Sequence, residues 1–144
     1  MKAKDIMTRD VECISPDTPI REGAQRMKSL DVGFLPVCEN DRLIGTVTDR
    51  DIVLRVVAEG KDINSSKARD IMTTEVFWCF EDQTAEEIAA HMAEKGIRRT
   101  LILNPDKRLV GVVSIGDLAQ AKGKQKKAGE AMKGISEAPS SEAA

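Results

Sequence analysis

Apolar and polar positions in the first half of the chain predict a strand, a helix, a two-stranded hairpin and a second helix, in that order. Apolar residues at 11–14 indicate a short strand, and the turn-forming residues at 15–19 lead into the first helix. Thr18 is the predicted N-cap of that helix and Pro19 its first residue. Steps of four and three then define one apolar face, which consists of Ile20, Ala24, Met27 and Leu30.

The hairpin is indicated by two apolar segments, 35–38 and 43–47, on either side of the polar turn 39–42. The second helix should start near Asp49 and stop at Gly60. Its buried face is predicted to hold Ile52, Val56 and Val57. Because a helix separates the first strand from the hairpin, that strand should run parallel to the hairpin's first strand, with a right-handed crossover.

The same order of elements occurs twice along the chain. The tetrapeptide Asp-Ile-Met-Thr at 5–8 recurs at 70–73, an offset of 65 residues. Arg-Leu-Ile-Gly at 42–45 matches Arg-Leu-Val-Gly at 108–111, an offset of 66, and the extra residue falls in the hairpin turn, where an insertion is best tolerated. A register kept over about 50 residues indicates an internal duplication.

In the second copy the pattern predicts a strand over 76–80, a capping box at 84–87, a hairpin over 100–113 and a helix from Ile115. The apolar face of its first helix is formed by Ala85, Ile88, Ala89 and Met92. One such unit buries too little apolar surface alone. We therefore expect an α/β (α+β) fold in which two β-α-β-β-α repeats pack sheet to sheet.

This organisation divides the chain into four parts. They are a first repeat at 1–60, a linker at 61–69, a second repeat at 70–121, and a tail at 122–144 that is first basic and then rich in Ala and Ser. We expect the lysines at 122–127 to be solvated, the alternative being contact with RNA or an acidic partner. One helical turn near 130–132 is the structure predicted within the tail.

Composition excludes several classes of protein. Across 144 residues, 22 Lys and Arg against 24 Asp and Glu leave a net charge of −2, which argues against a general nucleic-acid binder. The absence of any apolar run of about 20 residues argues against a membrane span. Three Cys without C-x-x-C spacing argue against a zinc site and make the cytoplasm the default compartment. The single His, His91, which we expect to be exposed, argues against histidine-based catalysis.

Several segments resemble the cystathionine-β-synthase-type (CBS) domain. They are the Asp-Ile-Met-Thr that starts each repeat, the Gly-Phe-Leu-Pro-Val segment at 33–37, and the related segments at 45–52 and 111–118. The resemblance covers residues 4–120 and occurs twice in register. The chain is thus similar to small stand-alone tandem CBS proteins, including the mycobacterial hypoxic-response type, and we expect no attached catalytic domain.

The resemblance implies a non-catalytic regulatory module with pseudo-two-fold symmetry. Such a module binds an adenosine compound (AMP, ADP, ATP, S-adenosylmethionine or NAD) in clefts between the repeats, with no metal or other cofactor. It commonly forms a homodimer through its helices and signals to a protein target, here unknown, by a conformational change. The alternative is a ligand-free interaction or scaffold dimer.

The resemblance also places ribose contacts at Asp51 and Asp117, with Thr48 and Ser114 beside the sugar or the phosphate. The chemistry is reasonable, because one carboxylate can accept hydrogen bonds from both vicinal hydroxyls of a ribose. The free N–H groups of a helix N-terminus suit a phosphate. The alternative is that each Thr/Ser-x-x-Asp pair only caps its own helix, and the two roles are compatible.

The remaining candidates lie beside these pairs. Arg50, flanked by Asp49, and the pair Arg98 and Arg99 are either phosphate contacts or solvated charges. By resemblance, the stretch that passes the adenine is Leu35, Pro36 and Val37, and Gly33 and Phe34 just before it are further candidate ligand contacts. The second copy departs from it with Thr-Leu-Ile at 100–102, which puts its affinity or base selectivity in question. Trp78 is a candidate for base stacking, although a strand Trp is more typical of a core or an interface.

Cys13 and Cys38 fall on strands that we expect to be neighbours. A disulfide between them is therefore geometrically possible. The alternative is a pair of small, buried apolar residues.

Overall fold

The computed structural model describes residues 1–121, which form an α+β fold. The elements, in chain order, are α1 (Ala3–Ile6), α2 (Ile20–Leu30), β1 (Phe34–Glu39), β2 (Arg42–Thr48), α3 (Asp49–Ile52) with a π-helical continuation (Val53–Val57), α4 (Ala68–Ile71), β3 (Trp78–Phe80), α5 (Ala85–Lys95), β4 (Arg99–Leu103), β5 (Leu109–Ser114) and α6 (Ile115–Gln120). The predicted tail, with its helical turn near 130–132, lies outside the described residues.

These elements divide into two compact units. The β1–β2 unit runs from Glu12 to Val76 and includes α4. The β3–β5 unit combines Met1–Val11, and therefore α1, with the segment that starts at Phe77. Each unit thus takes its Asp-Ile-Met-Thr tetrapeptide from the start of the other copy's sequence.

The β1–β2 unit is built on the predicted antiparallel hairpin. Its turn consists of Asn40 and Asp41, which both have positive φ (53° and 65°), as a two-residue type I′ turn requires. The fully buried side chains around the hairpin include Ile20, Leu35, Val37, Val47, Val56 and Ile71. Leu30, predicted to face this core, is instead 42% exposed.

The predicted strand at 11–14 does not form. A single parallel bridge pairs Ile14 with Val37: the Ile14 N–H donates to the Pro36 carbonyl, and the Cys38 N–H donates to the Ile14 carbonyl, each at 2.9 Å. The predicted parallel direction is correct, but the strand is reduced to one pair.

The start of α2 also differs by one residue from the prediction. The helix begins at Ile20, after Pro19, and Thr18 does not cap it, because the Thr18 hydroxyl accepts a hydrogen bond from the Ser15 N–H at 3.0 Å. The first helical N–H, that of Ile20, donates to the Ser66 carbonyl at 2.9 Å instead. A main-chain acceptor from a distant segment thus replaces the expected side-chain cap.

The helix after β2 starts at Asp49 as predicted and then widens into the π-helical turn. Ile52 and Val56 are buried, whereas Val57, also predicted to be buried, is 63% exposed. Gly60 adopts a left-handed conformation (φ 68°), and its N–H donates to the Val57 carbonyl at 3.1 Å. The expected stop at this glycine is confirmed.

The β3–β5 unit follows the prediction more closely. β3 pairs in parallel with β4, and β4 pairs antiparallel with β5. β3 is shorter than predicted, since it begins at Trp78. The Thr84 hydroxyl accepts the Glu87 N–H at 3.2 Å and caps α5 as expected. The predicted face of α5 is buried at all four positions, and α6 starts at Ile115.

The tetrapeptides join the hairpins through main-chain hydrogen bonds. Thr46 and Thr73 exchange two bonds of 3.0 and 2.9 Å, and Thr8 and Val112 exchange two of 2.9 and 3.0 Å. The residues ahead of each tetrapeptide supply the carbonyls for the first helical N–H groups: Ser66 for α2, and Met1 for α5 at 2.8 Å from Ala85. Both copies use the same arrangement.

Glycine is required where each tetrapeptide crosses its hairpin. A Cβ on Gly45 would lie 2.9 Å from the Met72 Sδ and 2.9 Å from the Thr73 carbonyl oxygen. A Cβ on Gly111 would lie 2.6 Å from the Met7 Sδ and 2.8 Å from the carbonyl oxygen of Thr8. Since a main-chain atom is involved in both cases, a side-chain movement alone cannot relieve the overlap.

We therefore expect Gly111→Ala and Gly45→Ala to lower the free energy of unfolding by about 1–3 kcal/mol through overpacking. Gly23→Ala is the matched control, because a Cβ there meets only the Ile14 Cδ1, at 3.9 Å. Within α2 this change should be neutral or stabilising by up to about 1 kcal/mol. Equal urea midpoints for the three variants would contradict the close crossing.

Candidate functional site

The junction between β2 and α3 holds the first candidate pair. The Thr48 hydroxyl accepts the Asp51 N–H at 3.0 Å, and the Asp51 Oδ2 accepts the Thr48 N–H at 2.9 Å. The Asp51 side chain is only 13% exposed. The reciprocal cap fixes the carboxylate at the end of the strand.

The junction between β5 and α6 repeats this geometry. The Ser114 Oγ accepts the Asp117 N–H at 3.1 Å, and the Asp117 Oδ2 accepts the Ser114 N–H at 2.8 Å. The capping interpretation is therefore confirmed in both copies. Each cap uses one carboxylate oxygen, Oδ2, and a carboxylate has a second oxygen that can accept from another donor. A ligand role for the two aspartates stays a prediction.

Arg55 distinguishes the first junction from the second. Its Nε lies 3.9 Å from the Asp51 Oδ1, and its Nη1 donates to the Ile71 carbonyl at 2.8 Å. At the repeat offset of 66, the second copy has Ala121 at this position. Our sequence reasoning missed Arg55, although its i,i+4 spacing from Asp51 on a helix is a recognisable signal.

The hairpin brings further candidates to each junction. Phe34 pairs with Thr48 across the first hairpin, and Arg99 pairs with Ser114 across the second. An aromatic ring at the first site thus corresponds to a guanidinium at the second. Arg98 is exposed, and its carbonyl accepts the Ile115 N–H at 3.0 Å.

Gly33, Asp49 and Arg50 form a local group beside the first junction. The Gly33 carbonyl accepts the Asp49 N–H at 2.9 Å, and a Cβ on Gly33 would lie 3.0 Å from the Asp49 Oδ2. The Asp49 Oδ1 accepts the Arg50 N–H at 2.8 Å, and both side chains are exposed. Arg50 is the second residue of α3, and its sequence neighbours on both sides, Asp49 and Asp51, are acidic.

The adenine stretch expected from the resemblance lies partly in the core. Leu35 is 1% exposed, and Pro36 is buried. Because their side chains lie in the core, these two residues can contact a ligand through main-chain groups. In the second copy Thr100 replaces Leu35 and is also 1% exposed. Its hydroxyl donates to the Phe77 carbonyl at 3.2 Å, which satisfies the polar group that the substitution buries.

His91 is half-buried, which corrects the expectation of an exposed side chain. Its ring meets Phe77 edge-on at 6.3 Å, and its Nε2 is buried with no hydrogen-bond partner among the described residues. Burial, and then the charge of Lys95, hold the pKa of the imidazole below its usual value. The negative charge of Glu94 offsets part of this lowering. The ring is therefore neutral at neutral pH.

Two other expectations concern Trp78 and the cysteines. Trp78 packs edge-on against Phe80 with ring centroids 4.9 Å apart and is half-buried, which favours a packing role. The Sγ atoms of Cys13 and Cys38 are 2.9 Å apart, so the expected proximity is confirmed.

Residues 1–121 contain no cluster of three or more His, Cys, Asp or Glu side chains suited to a metal ion. Within the same residues, every helix is too short or too polar to cross a bilayer.

The chain belongs to the CBS-domain family. The family model matches it twice, at residues 3–58 and 68–124, which defines a tandem CBS pair. Stand-alone proteins of this family are generally regulatory and non-catalytic.

Two relatives illustrate this membership. The chain is 39% identical over 133 residues to the CBS domain-containing protein YhcV of Bacillus subtilis, covering 92% of this chain and 94% of YhcV. It is 34% identical over 119 residues to Hypoxic response protein 1 of Mycobacterium tuberculosis, covering 82% of each.

Solved structures agree with the fold. The crystal structure of Hypoxic Response Protein I with two coordinated zinc ions superposes with a TM-score of 0.76, at 34% identity, over 84% of this chain and 98% of that one. CBSX2 from Arabidopsis thaliana, solved in complex with AMP, gives a TM-score of 0.72 over 87% and 98%. At 21% identity, this last likeness shows the fold alone.

Proposed function

We propose that this protein is a regulatory module that binds an adenine nucleotide and signals to a protein target by a change of conformation. One observation carries the proposal: two strand-to-helix junctions each hold an aspartate whose Oδ2 is fixed by a cap. The candidate ligands are AMP, ADP, ATP, S-adenosylmethionine and NAD. CBSX2, a protein of the same fold, was solved with AMP, which supports the choice of ligand class.

A capped aspartate is well suited to a ribose. Because the cap fixes the carboxylate before any ligand arrives, binding costs little side-chain entropy. Its second oxygen can accept from sugar hydroxyls, and hydrogen bonds to a charged acceptor are the stronger kind. Asp51 and Asp117 are the proposed ribose acceptors, with Thr48 and Ser114 beside the sugar.

The two proposed sites differ in charge and shape. Phe34, opposite Thr48, offers an apolar surface to a base at the first junction. Arg99, opposite Ser114, and the exposed Arg98 offer cations to a phosphate at the second. Because Arg50 at the first junction is flanked by Asp49 and Asp51, a ligand with more phosphates should prefer the second junction. Signalling requires that the ligand bind one conformation more tightly than the other.

Calorimetric titration of ligand-free protein with the five nucleotides tests this proposal. In Asp51→Asn and Asp117→Asn the amide oxygen can still accept the capping N–H, so the cap survives while the charge is lost. We expect each change to weaken nucleotide binding at its own junction about 10-fold to 100-fold, the cost of a charge-assisted hydrogen bond.

Asp70→Asn is the matched control. Asp70 accepts the Lys67 N–H at 2.9 Å in the same kind of cap, at the start of α4 and not at a strand-to-helix junction. Affinity that is unchanged in both junction variants would show that the sites are misassigned. The absence of heat with all five nucleotides would favour the ligand-free scaffold.

We also propose that the protein forms a homodimer through the helical segment after β2. Three apolar side chains on this segment are exposed, Val53 by 54%, Leu54 by 47% and Val57 by 63%. A cluster of large apolar side chains in water is typical of an association surface.

A cytoplasmic location, and independence from nucleic acid, stay predictions from composition.

Sedimentation equilibrium of Val57→Asp beside the wild type tests this surface. We expect twice the chain mass for the wild type and the single-chain mass for the variant, because dimerisation would bury the new charge without a partner. Gln25→Asp places the same charge on the exposed side of α2 and should remain dimeric. A dimeric Val57→Asp would place the interface elsewhere.

A further inference from the structure

Two thiols of the β1–β2 unit form a close pair. The Cys38 Sγ donates a hydrogen bond to the Cys13 Sγ across 2.9 Å, and both residues are half-buried, free cysteines. A disulfide bond is about 2.05 Å long, so a movement of about 1 Å would bring the sulfurs to bonding distance.

The main chain holds the pair in place. Ile14 and Val37 form the parallel bridge, and the Cys38 N–H donates to the Ile14 carbonyl at 2.9 Å. Ile14 and Val37 belong to the core, since they are 3% and 0% exposed. Cys13 and Cys38 are only half-buried, so a small oxidant can reach them.

The second copy shows what the pair replaces. There the equivalent bridge, Cys79 with Ile102, is the centre of a ladder of three residue pairs. At the offset of 65, the positions of Cys13 and Cys38 hold Trp78 and Leu103. The cysteines thus occur in the copy where the parallel ladder is reduced to one bridge, so a covalent bond there would replace missing ladder contacts.

The two thiols differ in acidity. The hydrogen bond from Cys38 lowers the pKa of Cys13, whereas the same bond raises the pKa of Cys38. Cys13 is therefore the better nucleophile of the two. Cys79 is 2% exposed, and burial raises the pKa of its thiol to about 11, so it should be inert.

We propose that Cys13 and Cys38 are a redox pair that a hydroperoxide converts reversibly into an intramolecular disulfide. The Cys13 thiolate attacks the peroxide oxygen, and the O–O bond breaks to give a sulfenic acid and an alcohol or water. The Cys38 sulfur then attacks the Cys13 Sγ and displaces hydroxide, which leaves as water with the Cys38 proton. Two thiols are oxidised, one peroxide is reduced, and a dithiol reverses the step by exchange.

The disulfide would close a loop between residues 25 positions apart in the sequence. This loop contains α2 and the start of β1, including Phe34. Closing it restricts the unfolded chain and fastens residues 12–14 to β1. We expect the thermal midpoint to rise by roughly 10 °C on oxidation.

The test treats full-length, reduced protein with hydrogen peroxide, then measures free thiols, intact mass and the thermal midpoint before and after dithiothreitol. The wild type and the control Cys79→Ala should each lose two thiols and become lighter by two hydrogen atoms. Their thermal midpoints should rise, and dithiothreitol should return the thiols, the mass and the midpoint to their starting values. Cys13→Ala and Cys38→Ala should gain no midpoint shift and form no intramolecular bond.

Three outcomes would overturn the proposal. The first is a wild type that keeps all three thiols under conditions that oxidise a small-molecule thiol. The second is thiol loss that appears as cross-linked chains or as added oxygen instead of lost hydrogen. The third is a disulfide that dithiothreitol cannot reduce in the folded protein, which would make the bond structural and not redox-responsive.

Discussion

The crossing of each Asp-Ile-Met-Thr segment over a hairpin glycine is the contact on which the rest of the structure depends. Met72 lies over Gly45, and Met7 lies over Gly111, at distances that leave no space for a Cβ. Three residues after each glycine comes the capping hydroxyl, Thr48 or Ser114. The crossing therefore fixes the strand end from which the proposed site is built.

This contact also explains why one repeat does not make one structural unit. The N–H groups that open α2 and α5 find their acceptors in the segments of Ser66 and Met1, ahead of the crossing tetrapeptides. Exposed ion pairs follow the same symmetry: Lys4 with Asp82 at 3.1 Å in one unit, and Arg69 with Asp17 in the other. Since solvent screens such pairs, the buried crossing and its main-chain bonds are the stronger constraint.

The sequence predicted those features whose cause is local. Residue spacing within a single segment is enough to predict the apolar face of α5, the capping boxes and the hairpins. Thr18 was the wrong cap because Ser66, far along the chain, satisfies the Ile20 N–H. Val57 was misplaced because the π-helical turn changes the helical period after Ile52, and apolar spacing alone does not reveal that change.

The candidate site was predictable to a similar degree. The Thr/Ser-x-x-Asp spacing identified both caps, which are local. The pairing of Phe34 with Thr48 and of Arg99 with Ser114 follows from the hairpin register once the turn is known. The i,i+4 spacing could have paired Arg55 with Asp51, but its bond to the Ile71 carbonyl and the packing of His91 against Phe77 depend on tertiary neighbours that periodicity does not supply.

Amide hydrogen exchange on a variant that lacks residues 1–8 tests most directly whether each hairpin depends on the Asp-Ile-Met-Thr segment from the start of the other copy. The amides of Ala85 and Val112, whose acceptors are Met1 and Thr8, should lose protection together with β4 and β5. The amides of Ile20 and Thr46, whose acceptors lie at Ser66 and Thr73, should keep theirs. Loss of protection at Ile20 and Thr46, with Ala85 and Val112 still protected, would contradict the account.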